Sequence, residues 1–204
     1  MINRRQLIIG AAASGATLAA SSITKTQAQP STATPAPAKV PKLNTRWAFS
    51  VSVFFDERIK INSPGGRAFV PAVGGDIWGP CLQGKVVPYG GADYGGGGGP
   101  LDAHYMFQAD DGSLIYINNR AYMKALGERP AGGTPYGPAG PGEPFSQRMG
   151  GTSLADVPLR MRTVPFFDAP KDSPHAWMSR TLFIGHGARH VNPDHTLFTY
   201  YEVL

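Results

Sequence analysis

The spacing of apolar residues changes character near Thr45. From there to the C-terminus, short runs alternate between apolar and polar positions, the period of a half-buried strand. "RWAFSVSVFF" opens this region and is aromatic and β-branched, with partial alternation. "GGRAFVPAVGGDIWGP" reads as short strands punctuated by glycine, and "CLQGKVVPYG" as another, with Gly84 at a bulge. "LDAHYMFQA" and "SLIYINNRAY" flank Asp110, Asp111 and Gly112. Those three supply the side-chain acceptors and the positive φ that a tight hairpin needs. "LRMRTVPFF" predicts a further strand. "HAWMSRTLFIGHGARH" and "HTLFTYYEVL" predict a final pair joined through "VNPD". The one helical signal is short, near "NRAYMKALGERP".

Roughly eight to ten short strands with turn signals between them mean a sandwich or a barrel. The part of the chain beyond the N-terminal segments, about 160 residues, is enough for a closed antiparallel β-barrel of about eight strands, wide enough inside for one small ligand. Residues 127 to 150 break the pattern and predict a loop, too rich in Pro and Gly for regular structure.

Composition alters this picture mainly at the N-terminus. Net charge is +5, but Arg4, Arg5 and Lys25 lie in the first 28 residues, which hold no acid. Without them the net charge falls to +2, and Lys39 and Lys42 precede a nearly neutral body. A basic balance made by a leader is not a nucleic-acid footprint, so no nucleic-acid partner is expected. Residues 1–28 pair a twin arginine with an apolar stretch and end in Thr26-Gln27-Ala28. They resemble a bacterial twin-arginine (Tat) export signal, implying delivery to the periplasm. The apolar stretch is too weak for a stable membrane span. Residues 29–44, rich in Pro, Ala, Ser and Thr, predict an extended linker, and 45–204 a single domain.

Two chemistries are disfavoured by local context. The run Gly95 to Gly99 is followed by Pro100 and Leu101, not by Lys and a helix, so a phosphate loop is not expected. A hairpin connection at a barrel mouth fits better, with Gly90-Gly91 turning the chain and Asp93 near the rim. Cys81 is the single cysteine, which excludes an intramolecular disulfide. His186 and His190 are four apart but flanked by glycines, so no metal site is expected.

Four stretches together carry a resemblance: "GGDIWGPCLQGKVVPYGGADY", "LDAHYMFQADDGSLIYINNR", "RTVPFFDAP" and "AWMSRTLFIGHG". In this order they resemble the motifs of the domain-of-unknown-function family 3237 (DUF3237), across nearly all of 45–204. Tyr94 stands where that family often has Trp, and Ser179 where Asn is common. The resemblance implies a closed antiparallel β-barrel similar to the allene oxide cyclase or calycin type. Some members are associated with breakdown of lignin-derived aromatic dimers. They act as lyases that release the γ-carbon of phenylcoumarans as formaldehyde and leave a stilbene. By that analogy no cofactor is needed, and the substrate is a small aromatic.

Such a reaction needs a base, a stabiliser for the departing phenolate and an apolar box for aryl rings. Asp93, Asp102, His104 and Tyr105 are the candidate bases. In a strand, Asp102 and His104 point one way and Tyr105 the other, so they cannot share one cavity. A carboxylate inside an apolar barrel has a raised pKa suited to a general base, and Asp93 and Tyr105 are the catalytic candidates, with the choice of acid or tyrosine as base left open. Arg120 and Arg162 are the candidate phenolate partners. Asn118 shares a strand face with Arg120 and would orient a hydroxyl. Trp78, Tyr116, Phe166 and Trp177 would line the pocket, with Asp102 and His104 as polar contacts. A different reading is a periplasmic barrel that binds a hydrophobic or aromatic ligand without changing it. Homo-oligomerisation is compatible with either, and no stretch names an interface.

Overall fold

The computed structural model describes residues 41–62, 64, 66–95, 100–128 and 156–204. The expected leader, most of the linker, the glycine run from Gly96 and the expected loop from residue 129 lie outside the described residues.

Ten strands form one sheet. They are β1 (Thr45–Phe55), β2 (Ile59–Lys60), β3 (Ala68–Trp78), β4 (Gly84–Val86), β5 (Ala92–Gly95), β6 (Leu101–Ala109), β7 (Leu114–Ala125), β8 (Leu159–Asp168), β9 (Phe183–Val191) and β10 (Asp194–Val203). The order is β1-β10-β9-β8-β7-β6-β4-β3-β2, with β5 between β3 and β6, and β3 pairs back onto β1. Because β4 and β5 share one position, eight antiparallel positions close a barrel. Alternation then has a simple meaning: every second side chain is interior.

The two ends of the interior differ. At one end Phe49, Phe167, Phe183 and Tyr200 pack edge to face, with Phe49–Phe167 at 5.7 Å and Phe167–Phe183 at 5.0 Å. A short 3-10 turn, Ala176–Arg180, lies at this end and buries Met178. Polar side chains collect at the other end, where β5, β6, β8 and β10 begin or end near the mouth.

Three local expectations change. "GGRAFVPAVGGDIWGP" holds one strand of eleven residues, not several. Its glycines Gly74 and Gly75, at φ 141° and 150°, let it pass from β5 to β1 and β4 without breaking. The helical signal at "NRAYMKAL" falls in β7, since ladders to β6 and β8 on both sides outweigh local helix preference. "HAWMSR" is the 3-10 turn, and β9 starts only at Phe183. The hairpin at Asp110–Gly112 is as expected: Gly112 has φ 86°, and Asp111 Oδ1 accepts from the Ser113 amide at 2.9 Å. Among the described residues no helix is long and apolar enough to cross a membrane.

Gly75 marks the tightest part of the closure. A Cβ there would lie 1.7 Å from the Ser52 carbonyl oxygen. Gly75→Ala should therefore lower unfolding free energy by more than about 3 kcal/mol. Gly112→Ala, with positive φ but nothing within 4 Å, should cost only about 1–2 kcal/mol. Urea denaturation of the two variants checks the difference.

Candidate active site in the barrel mouth

β5 is short and held by both neighbours. Asp93 registers with Val70 on β3 and Ala103 on β6, both interior positions, so its carboxyl faces inward. Gly91 makes this approach possible, since a Cβ there would lie 1.8 Å from the His104 carbonyl oxygen. On β6, Tyr105 faces the same interior, 1% exposed, and its hydroxyl donates to Asp93 Oδ1.

Arg189 enters from β9. It is buried, forms an ion pair with Asp194, and donates from Nη1 to Thr196 Oγ1 at 2.9 Å. Its guanidinium carbon also lies 4.8 Å from the Phe55 ring centroid, a cation–π contact. Arg58, Asp93, Gly95, Leu101, Met123, Leu159, Met161, Arg189 and Thr196 enclose a cavity of about 190 Å3. Asn119 and Thr163 are also buried; the Asn119 amide lies beside the Tyr200 phenol, and the Thr163 hydroxyl has no hydrogen-bond partner among the described residues. Such an atom is a site for water or for a ligand oxygen.

Burial dominates the electrostatics. It pushes the Asp93 carboxyl up to about 7, against the opposing pull of Arg189 and Arg58 and with a smaller push from Asp194. Burial also raises the Tyr200 phenol well above its usual value, and the nearby Asp93 charge adds to this. An acid titrating near neutrality can both accept and return a proton, as general acid–base chemistry requires. Perturbed acids of this kind cluster at functional sites.

The residues singled out from the sequence separate into three places. Asp93 lines the cavity, and Tyr105 donates to it from the buried interior without lining the cavity itself. Arg120 and Arg162 project from the outer face of β7 and β8 and are exposed, so neither joins them. Asp102, His104, Tyr116 and Asn118 also lie on the outer face, bonded to one another. His104 Nδ1 is 2.6 Å from the Tyr116 hydroxyl, and Asn118 Nδ2 donates to Asp102 Oδ1 at 3.0 Å. Phe166 is on that side too, 57% exposed. Trp78 ends β3 at the aromatic end, and Trp177 packs there on Phe183 at 5.6 Å. Neither lines the mouth cavity. For the outer-face residues the reason is alternation along the strands of a closed barrel, whereas Trp78 and Trp177 are excluded by lying at the opposite end.

Arg189, Arg58, Asp194 and Thr196 were not foreseen. The pattern Phe183-x-Gly185-x-Gly187-x-Arg189 did hold a signal, because it sets Arg189 on the buried face of β9. Three larger depressions are also present among the described residues. One, about 410 Å3, is lined in part by Cys81, Asp111 and His175, a second, about 480 Å3, by Arg162, Ile184, His186 and Tyr201, and a third, about 270 Å3, by Asp102, Arg120, Tyr94 and Tyr122 among others. None is lined by a buried acid or base. Among the described residues no three or more His, Cys, Asp or Glu side chains gather to hold a metal ion.

These features define a closed antiparallel β-barrel of eight positions with a buried acid at its mouth. The chain belongs to the family described as "Protein of unknown function (DUF3237)", whose model matches residues 43–203. It is 27% identical over 170 residues to a UPF0311 protein of Rhodopseudomonas palustris, covering 80% of this chain and 99% of that one. A crystal structure of a protein of unknown function from Clostridium acetobutylicum superposes with a TM-score of 0.59 at 26% identity, over 81% of this chain and 100% of that one. At 19% identity, a beta-barrel like protein from Acinetobacter baumannii shares the fold with a TM-score of 0.58, over 82% of this chain and 100% of that one. An enzyme from Penicillium herquei also shares the fold, at 18% identity and a TM-score of 0.51, over 82% and 99%.

The raised Asp93 pKa makes a signed prediction. The folded state holds the proton up to about pH 7, while the unfolded carboxyl releases it near its ordinary value of 3.8. Stability contributed through Asp93 is therefore lost as pH rises between these values. Asp93→Asn keeps an acceptor for Tyr105 and cannot ionise. It should gain on the order of a few kcal/mol over the wild type at about pH 8 and nothing at about pH 4. Chemical denaturation at both pH values tests this, and an equal shift at both would contradict it. His195 acts oppositely: burial lowers its pKa, so its contribution is lost as pH falls below 6.5 in both proteins.

Proposed function

We propose that the protein is a cofactor-independent lyase that uses Asp93 and Tyr105 as an acid–base pair on a small lignin-derived aromatic. The observation that carries this reading is a buried carboxyl that lines the mouth cavity, accepts a hydrogen bond from Tyr105 and has its pKa pushed up to about 7 by burial. The specific reaction is release of formaldehyde from a phenylcoumaran-type hydroxymethyl group. Ionised Asp93 takes the proton of the primary hydroxyl. The carbon–carbon bond to the hydroxymethyl carbon then breaks and formaldehyde leaves. Its electron pair becomes the new Cα–Cβ double bond as the aryl ether opens to a phenolate. Proton return through Asp93 and Tyr105 neutralises the phenolate and resets the site. Buried Arg189 supplies the nearby positive charge, the role first expected of Arg120 and Arg162.

Cavity size limits the pose. An apolar cavity of roughly 150 Å3 takes one benzene ring. At about 190 Å3 this one takes a single aryl ring, and the second ring of a dimer would stay outside. A second reading, a binding barrel without chemistry, is favoured by the internal pairing of Arg189 with Asp194 and Thr196.

Formaldehyde assays on purified protein with phenylcoumarans and no added cofactor separate the two. Under the lyase reading, formaldehyde and stilbene appear together. Asp93→Asn should then lower turnover by at least about a hundredfold and Tyr105→Phe by a similar factor, with Arg120→Gln unchanged. Saturable tryptophan quenching without product would favour the binding barrel instead.

Residues 1–28 are read, on the same footing, as a twin-arginine export signal to the periplasm. The exported protein should begin near Gln29, and N-terminal sequencing of the periplasmic fraction checks it. Full-length chain confined to the cytoplasm would contradict it.

A further inference from the structure

Resting on the reading of the mouth cavity as the ligand site, we propose that it selects one aromatic ring bearing an anionic oxygen group, a carboxylate or an ionised phenol. The anion is held by Arg58 and Arg189, and the ring by Leu101, Met123, Leu159 and Met161.

The topology divides the cavity wall in two. Leu101, Met123, Leu159 and Met161 come from the adjacent strands β6, β7 and β8, and form an apolar arc. Arg189 and Thr196 come from β9 and β10, and Arg58 follows β1, so the polar arc faces it. A planar ring with a charge at one edge matches this arrangement. The volume of about 190 Å3 admits one ring and a small substituent.

Charge points the same way. Two guanidiniums line the cavity, and Asp194 pairs with one of them. Among the described residues Arg58 makes no ion pair, so with Asp93 neutral its guanidinium has no carboxylate partner within the described cavity lining. A guanidinium presents a donor fork that matches a carboxylate or phenolate.

Binding is coupled to a proton. The charged or titratable groups around Asp93 are Tyr105 from β6, Arg58 after β1, Arg189 from β9, and Asp194 and Tyr200 from β10. An arriving anion favours neutral Asp93, so a proton is taken up on binding. Ionisation of Asp93 opposes the anion, and affinity falls as pH rises through about 7.

Calorimetry with the full chain tests this, using benzoate, its neutral isostere benzamide, and para-nitrophenolate. Benzoate should bind at least about tenfold tighter than benzamide at about pH 6, and weaken by about pH 8. Arg58→Gln should bring benzoate down to the benzamide level, leaving benzamide binding and the melting temperature unchanged. Asp93→Asn should keep benzoate binding and lose its pH dependence. Comparing benzoate with para-nitrophenolate at the higher pH identifies the preferred anion, and tight binding of either supports the proposal. Equal affinity for benzoate and benzamide, no binding of either anion, or no effect of Arg58→Gln would overturn it. The acid–base reading fails by a separate result, full turnover in Asp93→Asn, which leaves the selectivity for anions untouched.

Discussion

The pairing of β3 back onto β1 is the contact on which the rest of the structure depends. It turns a ten-stranded sheet into a closed wall. Closure removes the long free edges that an open sheet would expose. It also gives each strand one face that never meets water. The fit is tight: Gly75 passes the Ser52 backbone where no side chain has room. With the wall closed, burial of Phe49, Phe167, Phe183 and Phe198 follows, each contributing on the order of 1.5–3 kcal/mol.

Closure also sets the chemistry. The aromatic end fills itself, so the charged interior side chains Asp93 and Arg189 sit at the mouth. There Asp93 is held away from water, and its ionised form is penalised. The same penalty weakens the fold near neutral pH and makes the carboxyl a usable proton acceptor. Under the proposed acid–base role, stability and function draw on this one group in opposite directions. Arg189 avoids the same penalty by pairing with Asp194 and stacking over Phe55.

The outer face has its own ordered polar group. Asp102, His104, Tyr116 and Asn118 are joined by hydrogen bonds across β6 and β7. Hydrogen bonds and Arg120 hold the Asp102 carboxyl below its usual pKa despite the cost of partial burial. Asp102 and Asp93 thus differ in pKa direction for one physical reason: one meets solvent and donors, the other an apolar interior.

The sequence by itself determined the period-two pattern, the hairpin at Asp110–Gly112 and a sandwich or barrel of eight to ten strands, with the choice of a closed barrel coming from the family resemblance. It also established that Asp102 and Tyr105 lie on opposite faces. It did not determine which face is inside. Both faces of β6 and β7 carry aromatic and polar residues, so alternation sorts them into two sets without labelling either. Closure supplies the label. It puts Tyr105 with Asp93 and sends Arg120, Arg162 and Phe166 outward. It also brings Arg189, distant in sequence, to within the electrostatic reach of Asp93. The strand at "NRAYMKAL" was likewise decided by its two neighbours and not by its own residues. Local sequence sets the period, while long-range pairing decides which residues share the interior.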